Sequence, residues 1–334
     1  MKTSLRIAVI LMVTVLFLGI ALWGISFEHA WLALQSAQWK YFLVVIACYL
    51  LTHTVRTLRL WVLLDKQGTF LSMFSINTIG FLAINVIPLR LGEMVRPYLL
   101  KEKSMVPFSK GFAAILLERL LDMCMLLIML FGLTWFVELP DKGVLIGNID
   151  IISTGQRAIG LMVLLGCIGG GGMVLLGERA FTVLHHLPKG KQLTQFALSF
   201  REGMAALFSN PIRAIYLFFL SALVWAITIA AVGFALAAFS GLPTGVGPAW
   251  TVWAITLSGM VVAPTPGFIG VYEVFCSAAL WLWGVDATLA TTFALALHAS
   301  QLLFTIIMGV SFLIYEGIAL RSIVEASQNV QREE

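Results

Sequence analysis

Charged side chains are scarce in this chain, so the places where they gather inside apolar sequence are candidates for binding or catalysis. The 334 residues are 60% hydrophobic and 11% charged. In the stretch NVIPLRLGEMVRPYLLKEK, Arg90, Glu93 and Arg96 lie close together. Guanidinium groups bind phosphate oxygens through forked pairs of N–H donors. The stretch therefore predicts a site for an anion.

The residues around these charges favour a break in a helix. Pro88 is expected to end one helix, and Gly92 to allow a turn before a second helix begins near Glu93. The free N–H groups of that second helix would attract an anion, with Arg90 and Arg96 beside them. Glu93 could pair with either arginine when no ligand is bound. The alternative is a solvated cytoplasmic turn whose arginines meet lipid headgroups.

A second cluster, in the segment LLERLLDMCMLL, places Glu118, Arg119 and Asp122 near the middle of an apolar run. Glu118 and Asp122 share a helix face, and Arg119 is three residues before Asp122. Charges at such depth are costly in lipid and are by default candidates for function. The alternative is a structural ion network that joins this helix to Arg56 or Arg59 of a neighbouring helix. Both roles can hold together.

A third cluster, VVAPTPGFIGVYE, again breaks an apolar run. Pro266, Gly267 and Gly270 prevent a continuous helix, and irregular backbone at membrane depth must lie inside protein or beside a water-filled cavity. A new helix after Gly267 would point its N-terminus inward and carry Glu273. We predict that these four residues, with the first cluster, bind a lipid headgroup. His298, on the next span, is expected to be a hydrogen-bonded packing residue.

Long apolar runs position these clusters and predict an all-α, multi-pass membrane protein. Two further apolar segments, 71–97 and 249–283, are broken by Pro and Gly and are expected to be re-entrant hairpins. Six full spans then put both termini on one side, together with eighteen of the 21 Lys and Arg residues, so that side is predicted to be cytoplasmic. The six predicted spans are 7–26, 41–64, 111–137, 157–176, 212–239 and 288–316.

The order of spans and broken segments repeats along the chain. A shift of about 178 residues places Pro88 and Gly92 on Pro266 and Gly270. Within one integral membrane domain, 1–334, we predict an inverted repeat, the architecture of many transporters. Its parts are repeat 1 at 41–137, a cytoplasmic loop with an interfacial helix at 177–211, and repeat 2 at 212–316.

The motifs PLRLGEMVR, LERLLD and PTPGFIGVYE, in this order, resemble the lysylphosphatidylglycerol synthase transmembrane domain family, also called flippase-like. The resemblance implies a domain that moves a lipid between leaflets, whereas a separate soluble domain carries the synthase activity. The chain ends at Glu334 without such a domain, so synthase activity is not expected. Family members more commonly have Pro-Gly-Gly-x-Gly in the last motif. Phe268 replaces the middle glycine, which is expected to narrow or reshape the pocket.

The function predicted from these observations is translocation of an anionic or phosphate-bearing lipid in a bacterial or archaeal inner membrane. The lipid would be an anionic phospholipid, an isoprenoid phosphate or a glycolipid, and no cofactor, metal or nucleic acid is expected. One alternative is an integral-membrane enzyme acting on a lipid phosphate. The other is a non-catalytic partner of a lipid or glycan biosynthetic enzyme. No phosphate-binding loop motif is present in the sequence, so direct use of ATP is not expected.

Overall fold

The structure is a computed structural model that describes residues 2–87, 92–138, 145–146, 149–150, 210–262 and 265–319. Several predictions concern residues outside these ranges. They are the role of Arg90, the span at 157–176 and the interfacial helix predicted within 177–211.

The described part of the chain is mostly helical, as the sequence predicts. One pair of two-residue antiparallel strands, β1 and β2, departs from a purely helical fold. In chain order the elements are α1 (Lys2–Leu22), α2 (Phe27–Ser36), α3 (Lys40–Leu63), α4 (Phe70–Val86), α5 (Val95–Ser104), α6 (Phe108–Phe136), β1 (Leu145–Ile146), β2 (Ile149–Asp150), α7 (Pro211–Ala237), α8 (Val246–Val262), α9 (Val271–Trp281) and α10 (Ala287–Glu316). A short 3-10 helix, Pro266–Phe268, lies between α8 and α9.

Local sequence determines where several of these helices begin. The side-chain oxygens of Thr69, Asn210 and Asp286 accept hydrogen bonds from backbone N–H groups in the first turns of α4, α7 and α10. Such caps satisfy donors that a helix start leaves unpaired. Pro211 at the first position of α7 adds a backbone already set for a helix.

Helix length and hydropathy support a multi-pass membrane protein. Among the described helices α3, α7 and α10 are long and apolar enough to cross a membrane. A fourth span is possible if α1 and α2, which are bent by 80° at a short break, count as one. The predicted number of six full spans is therefore not confirmed, and the re-entrant course of the broken segments stays a prediction.

Helices α3 to α6 and helices α7 to α10 follow the same order of long, short, short and long. Their lengths are 24, 17, 10 and 29 residues in the first set. In the second set they are 27, 17, 11 and 30 residues. Helices α3 and α7 pack against each other at the centre. Around them α4 packs on α10 of the other set, and α8 packs on α6. The contacts thus occur in equivalent pairs.

Candidate functional site

A network of buried ions joins α3, α5 and α6. Arg59 donates hydrogen bonds to Asp122 Oδ1 at 2.8 Å and, more weakly, to Glu118 Oε1 at 3.4 Å. Arg96 donates to the other oxygen of Glu118 at 2.5 Å. Arg59, Arg96 and Glu118 are each only 1% exposed. A buried charge without a partner is costly. Removal of any one ion of this network would therefore leave another ion buried and unpaired, and the fold would lose stability.

The pairing differs in part from the one expected from sequence. Arg119 Nη2 lies 3.5 Å from Asp122 Oδ2, as the spacing of three residues predicts. Arg96, however, turns inward to Glu118 and not to Glu93, although a pair of Arg96 with Glu93 was one of the two pairings predicted for Glu93. The other, with Arg90, lies outside the described residues. The reason for the pairing of Arg96 with Glu118 is steric as well as electrostatic, since Gly80 of α4 leaves the space that the Arg96 side chain fills. A Cβ atom at Gly80 would lie 2.1 Å from Arg96 Cγ.

Gly92 has a packing role at the first broken segment. A Cβ atom there would lie 2.3 Å from the carbonyl carbon and oxygen of Ala83 and 2.4 Å from the backbone nitrogen of Ile84. Only glycine permits this close approach to the end of α4. The following helix begins at Val95, slightly later than the start predicted near Glu93.

The second broken segment is closed by its own residues. Glu273 accepts a hydrogen bond from the backbone N–H of Gly270 at 2.7 Å and is joined to His298 Nδ1 at 2.6 Å. The ring of His298 stacks on Tyr272 with centroids 4.2 Å apart. From the sequence, the start of α9 is predicted to point inward and Glu273 to bind a headgroup. In the structure Glu273 caps its own helix and is 3% exposed.

The backbone of this segment explains its glycines. Gly267 and Gly270 have φ angles of 57° and 84°, in the left-handed region that favours glycine. Pro266 starts the 3-10 turn between α8 and α9. Gly270 also lies under α1, where a Cβ atom would come within 2.7 Å of the backbone nitrogen of Leu18. These residues therefore shape the chain and hold α1 in contact with α9.

A cavity of about 340 Å³ lies between helices of both sets. Its wall includes two arginines, two acids, several neutral polar side chains and two tryptophans. The lining residues are Tyr49, Thr52, His53, Arg56, Phe81, Ile84, Asn85, Glu93, Arg119, Asp122, Met123, Leu126, Trp225, Thr228, Trp253, Leu257, Met260, Val261, Phe268, Gln301, Phe304 and Thr305.

The predicted site residues divide into two groups around this cavity. Four of them line it, namely Arg56, Glu93, Arg119 and Asp122. The cavity wall does not include Arg59, Gly92, Arg96, Glu118, Pro266, Gly267, Gly270 or Glu273. Arg96 still adjoins the wall, because Arg56 and Arg96 both lie over the ring of Phe81, at 5.1 Å and 5.5 Å from its centroid.

Several residues of the cavity wall each carry one buried polar atom that has no hydrogen-bond partner within the described ranges. These residues belong to α3, α6, α7 and α8. The atoms are Thr52 Oγ1, His53 Nδ1, Arg56 Nε, Arg119 Nε, Trp225 Nε1 and Trp253 Nε1. Buried polar groups are nearly always hydrogen-bonded, so these atoms are exceptions. They are themselves shielded from solvent and therefore lie behind the cavity surface, within the described part of the chain.

The sequence analysis does not single out the two tryptophans or His53, all of which line the cavity. Trp225 and Trp253 lie within apolar runs, where an indole is an ordinary packing residue. Tyr49, His53 and Arg56 are each about one helical turn apart. This spacing predicts that they share one face of α3, and it could have indicated a polar face there.

The structure also corrects the count behind the predicted orientation. Arg56, Arg59, Arg96 and Arg119 lie in the buried network or in the cavity wall. Eighteen Lys and Arg residues were counted on the predicted cytoplasmic side. These four arginines do not lie in loops, so they should not be counted as evidence for its orientation. In the described ranges, no group of three or more His, Cys, Asp or Glu residues is placed to hold a metal ion.

The chain matches the family described as lysylphosphatidylglycerol synthase TM region over residues 4–309. It belongs to this family. It is also 24% identical over 302 residues to the protein named glycosyltransferase AglD of Haloferax volcanii, a match that covers 81% of this chain. The chain spans about half of that relative, since the match covers 47% of its length. No solved structure matches the chain significantly.

Proposed function

We propose that this member of the lysylphosphatidylglycerol synthase TM family moves an anionic lipid between leaflets, with its headgroup in the cavity. The observation that carries the proposal is the pair Arg56 and Arg119 in the wall of a cavity among apolar helices. Asp122 neutralises Arg119 in part. Arg56 has no ion pair among the described side chains. An anionic headgroup would supply the missing charge.

The cavity wall reaches the outer surface of the bundle, which suits a lipid ligand. Met123 of α6 and Val261 of α8 line the cavity and are also 43% and 41% exposed. Both are apolar, so acyl chains can stay in the membrane beside them while the headgroup lies inside. A water-soluble anion would gain nothing from such an opening.

The proposed architecture is an inverted repeat in which each broken segment returns to the side it entered. The matching helix lengths and the paired contacts between the two sets support it. The proposal puts both termini in the cytoplasm. We expect a cysteine at Gln67, between α3 and α4, to label only after permeabilisation, and a cysteine at Thr244, between α7 and α8, to label from outside. Labelling from the same side would contradict the inverted arrangement.

The function is tested by transport of fluorescent lipids in reconstituted vesicles. Arg56→Gln and Arg119→Gln should each lower transport of an anionic lipid by about tenfold or more, because each removes a charge-assisted hydrogen bond. The matched control is Lys110→Gln, which removes a positive charge from an exposed ion pair with Asp65. Transport of a zwitterionic lipid should be slow throughout. Normal anionic transport by the Arg56→Gln, Arg119→Gln double variant would contradict the proposal.

A second candidate function follows from the relative named a glycosyltransferase. The chain would then act on a lipid-linked glycan as an enzyme, or hold such a lipid for an enzyme. Product formation by the purified protein from a lipid phosphate and a sugar donor distinguishes this function from translocation.

A further inference from the structure

The turn and helix at 23–36 expose aromatic side chains that nothing in the described part of the chain covers. Trp23 is 85% exposed, and Phe27 and Trp31 of α2 are 76% and 61% exposed. We infer that α2 lies flat on the bilayer surface, with these three rings in the headgroup region of the nearer leaflet. In the orientation proposed above this is the outer leaflet. The partner is the membrane surface itself, and the residues that bind it are separate from the cavity wall.

Contacts at both ends of α2 place it level with the ends of the three long apolar helices. The backbone N–H of Ser26, just before α2, donates to Thr288 Oγ1 in the first turn of α10 at 3.4 Å. The backbone N–H of Gln38, just after α2, donates at 2.8 Å to the carbonyl oxygen of Ala238, the residue that follows α7. The chain then enters α3 at Lys40. Since α10 and α3 begin here and α7 ends here, α2 runs across one end of the bundle.

The preceding helix, α1, brings the chain to this level. Its 21 residues are about 31 Å long, enough to cross the hydrocarbon core of a bilayer. Met12, Leu16 and Ile20 are exposed at intervals of four residues, so they form one apolar stripe along α1. Trp23 follows at the end of this stripe, and the chain then bends by 80° into α2. Gly24, with a φ angle of 72°, permits the turn. A helix almost perpendicular to a membrane span lies in the membrane plane.

The side chains around α2 change in the order that a bilayer surface requires. At 100° per residue, Leu34, Phe27, Trp31, Gln35 and Glu28 follow one another around the helix axis. Leu34 packs against the hydrophobic core, whereas the other four are exposed. The faces are therefore protein, aromatic and polar in turn. An indole suits the headgroup region because its ring is apolar and its N–H is polar. Helices with such faces lie in the interface plane.

Two other arrangements agree less well with these contacts. If α2 continued α1 as a broken span, Glu28 would approach the hydrocarbon core without an ion pair among the described side chains, which is costly. If a protein covered the aromatic face, that face would not need to adjoin lipid. Trp23 instead joins it to the exposed apolar stripe of α1. This continuity favours the membrane surface as the partner.

The test places nitroxide spin labels on α2 of the full chain in lipid nanodiscs. The four native cysteines are first replaced by alanine, and single cysteines are introduced as Phe27→Cys, Trp31→Cys, Glu28→Cys and Gln35→Cys. Labels at Phe27 and Trp31 should collide severalfold more often with oxygen, which dissolves in the bilayer, than with a water-soluble nickel chelate. Labels at Glu28 and Gln35 should show the reverse. The depths at Phe27 and Trp31 should agree within about 3 Å, whereas an upright helix would separate them by about 6 Å.

A second measurement tests the anchoring role of the aromatic rings. The Trp23→Ala, Trp31→Ala double variant removes two of the three rings, so the label at Gln35→Cys should become more mobile. The matched control is Leu32→Ala, which removes an exposed apolar side chain from the polar side of α2. The mobility of the label should not change in this control.

Three outcomes would overturn the inference. Oxygen excess at all four positions, with depth increasing along the helix, would make α2 part of a broken span. Chelate excess at all four would put the aromatic face in water, where a protein partner could cover it. An unchanged mobility in the double variant, or an equal gain in Leu32→Ala, would remove the anchoring role from the tryptophans. Since none of these residues lines the cavity, each outcome leaves the proposed transport function standing.

Discussion

The two halves of the chain hold their short central helices in opposite ways. In the first half, Arg96 near the start of α5 pairs with Glu118 on α6, 22 residues later. In the second half, Glu273 near the start of α9 pairs with His298 on α10, 25 residues later. The positions correspond, but the acid and the base have exchanged places.

This exchange changes what each helix start can do. The N-terminus of a helix carries partial positive charge, which an acid stabilises and a base opposes. Glu273 thus caps the start of its own helix. The N-cap residue of α5, Met94, makes no side-chain hydrogen bond, and Arg96 lies in the first turn of that helix. Arg96 depends on Glu118, which also holds Arg59.

Two similar Pro- and Gly-containing breaks can therefore have different roles. The second is closed by its own hydrogen bonds, and among its described residues only Phe268 lines the cavity. The first is linked to the ion network and, through the ring of Phe81, to the cavity. We therefore expect changes at the first break to impair both stability and transport. At the second break, changes to the pair of Glu273 and His298 should impair stability alone.

The largest expected effect is that of Glu118→Gln. It removes the charge that compensates both Arg59 and Arg96, and breaking a buried pair in this way costs about 3–5 kcal/mol of unfolding free energy. Thermal unfolding in detergent and the yield of folded protein measure it. Transport per folded molecule should also fall, because Arg96 loses its anchor.

The control for this prediction is an exposed cluster. Asp65, whose side chain is 53% exposed, pairs with Lys110 and Arg213. The hydrogen bond from Lys110 lowers the pKa of the Asp65 carboxyl. Asp65→Asn should change the unfolding free energy by less than about 1 kcal/mol, since exposed ion pairs contribute little. A loss in Glu118→Gln as small as this would mean that the buried network is not structural.

Two glycines allow a direct comparison of the halves. A Cβ atom at Gly80 would meet Arg96 Cγ, and one at Gly259 of α8 would meet the ring of Phe275 of α9 at 2.2 Å. Gly80→Ala and Gly259→Ala should each cost about 1–3 kcal/mol through overpacking. Only Gly80→Ala should also lower lipid transport, because it displaces Arg96 from Glu118. Equal loss of transport in the two variants would erase the proposed difference between the breaks.

A smaller effect is expected for Glu273→Gln. The amide keeps the length of the side chain and one acceptor oxygen but loses the charge, so about 1–2 kcal/mol of unfolding free energy should be lost. Transport per folded molecule should stay within twofold of the wild type, because Glu273 lies outside the cavity wall. Loss of lipid binding in a folded Glu273→Gln protein would instead support the prediction that Glu273 binds the headgroup.

The sequence located the buried charged residues better than it predicted which residues they pair with. The cluster at Glu118, Arg119 and Asp122 could be recognised because charges are rare in apolar runs, and helical spacing gave the pair of Arg119 with Asp122. The pairing of Arg96 could not be predicted in this way. It depends on the space beside Gly80 of α4. A local sequence pattern does not show which side chains of different helices come into contact.

The same limit applies to the two breaks and to the cavity. Prolines and glycines located both breaks, since their backbone restrictions act locally. Whether Glu273 would cap its own helix or face a ligand depended on the position of His298. Trp225 and Trp253 come together in the cavity wall from two different helices, which no local pattern records. The order of long and short helices was visible in the hydropathy pattern, but the number of full spans was not.

The smallest expected effect on stability concerns Phe268, at the second break but in the cavity wall. Its φ angle of 58° lies in the left-handed region, which costs a non-glycine residue about 1–2 kcal/mol. Phe268→Gly relieves this strain but loses a partly buried ring, so the unfolding free energy should change by less than about 1 kcal/mol. Phe268→Ala loses the ring and keeps the strain, so it should be the less stable variant. Both should enlarge the cavity and raise transport of phosphatidylinositol relative to phosphatidylglycerol by a similar factor. Equal stability of the two variants would argue against backbone strain, and an unchanged transport ratio would mean that the ring does not limit headgroup size.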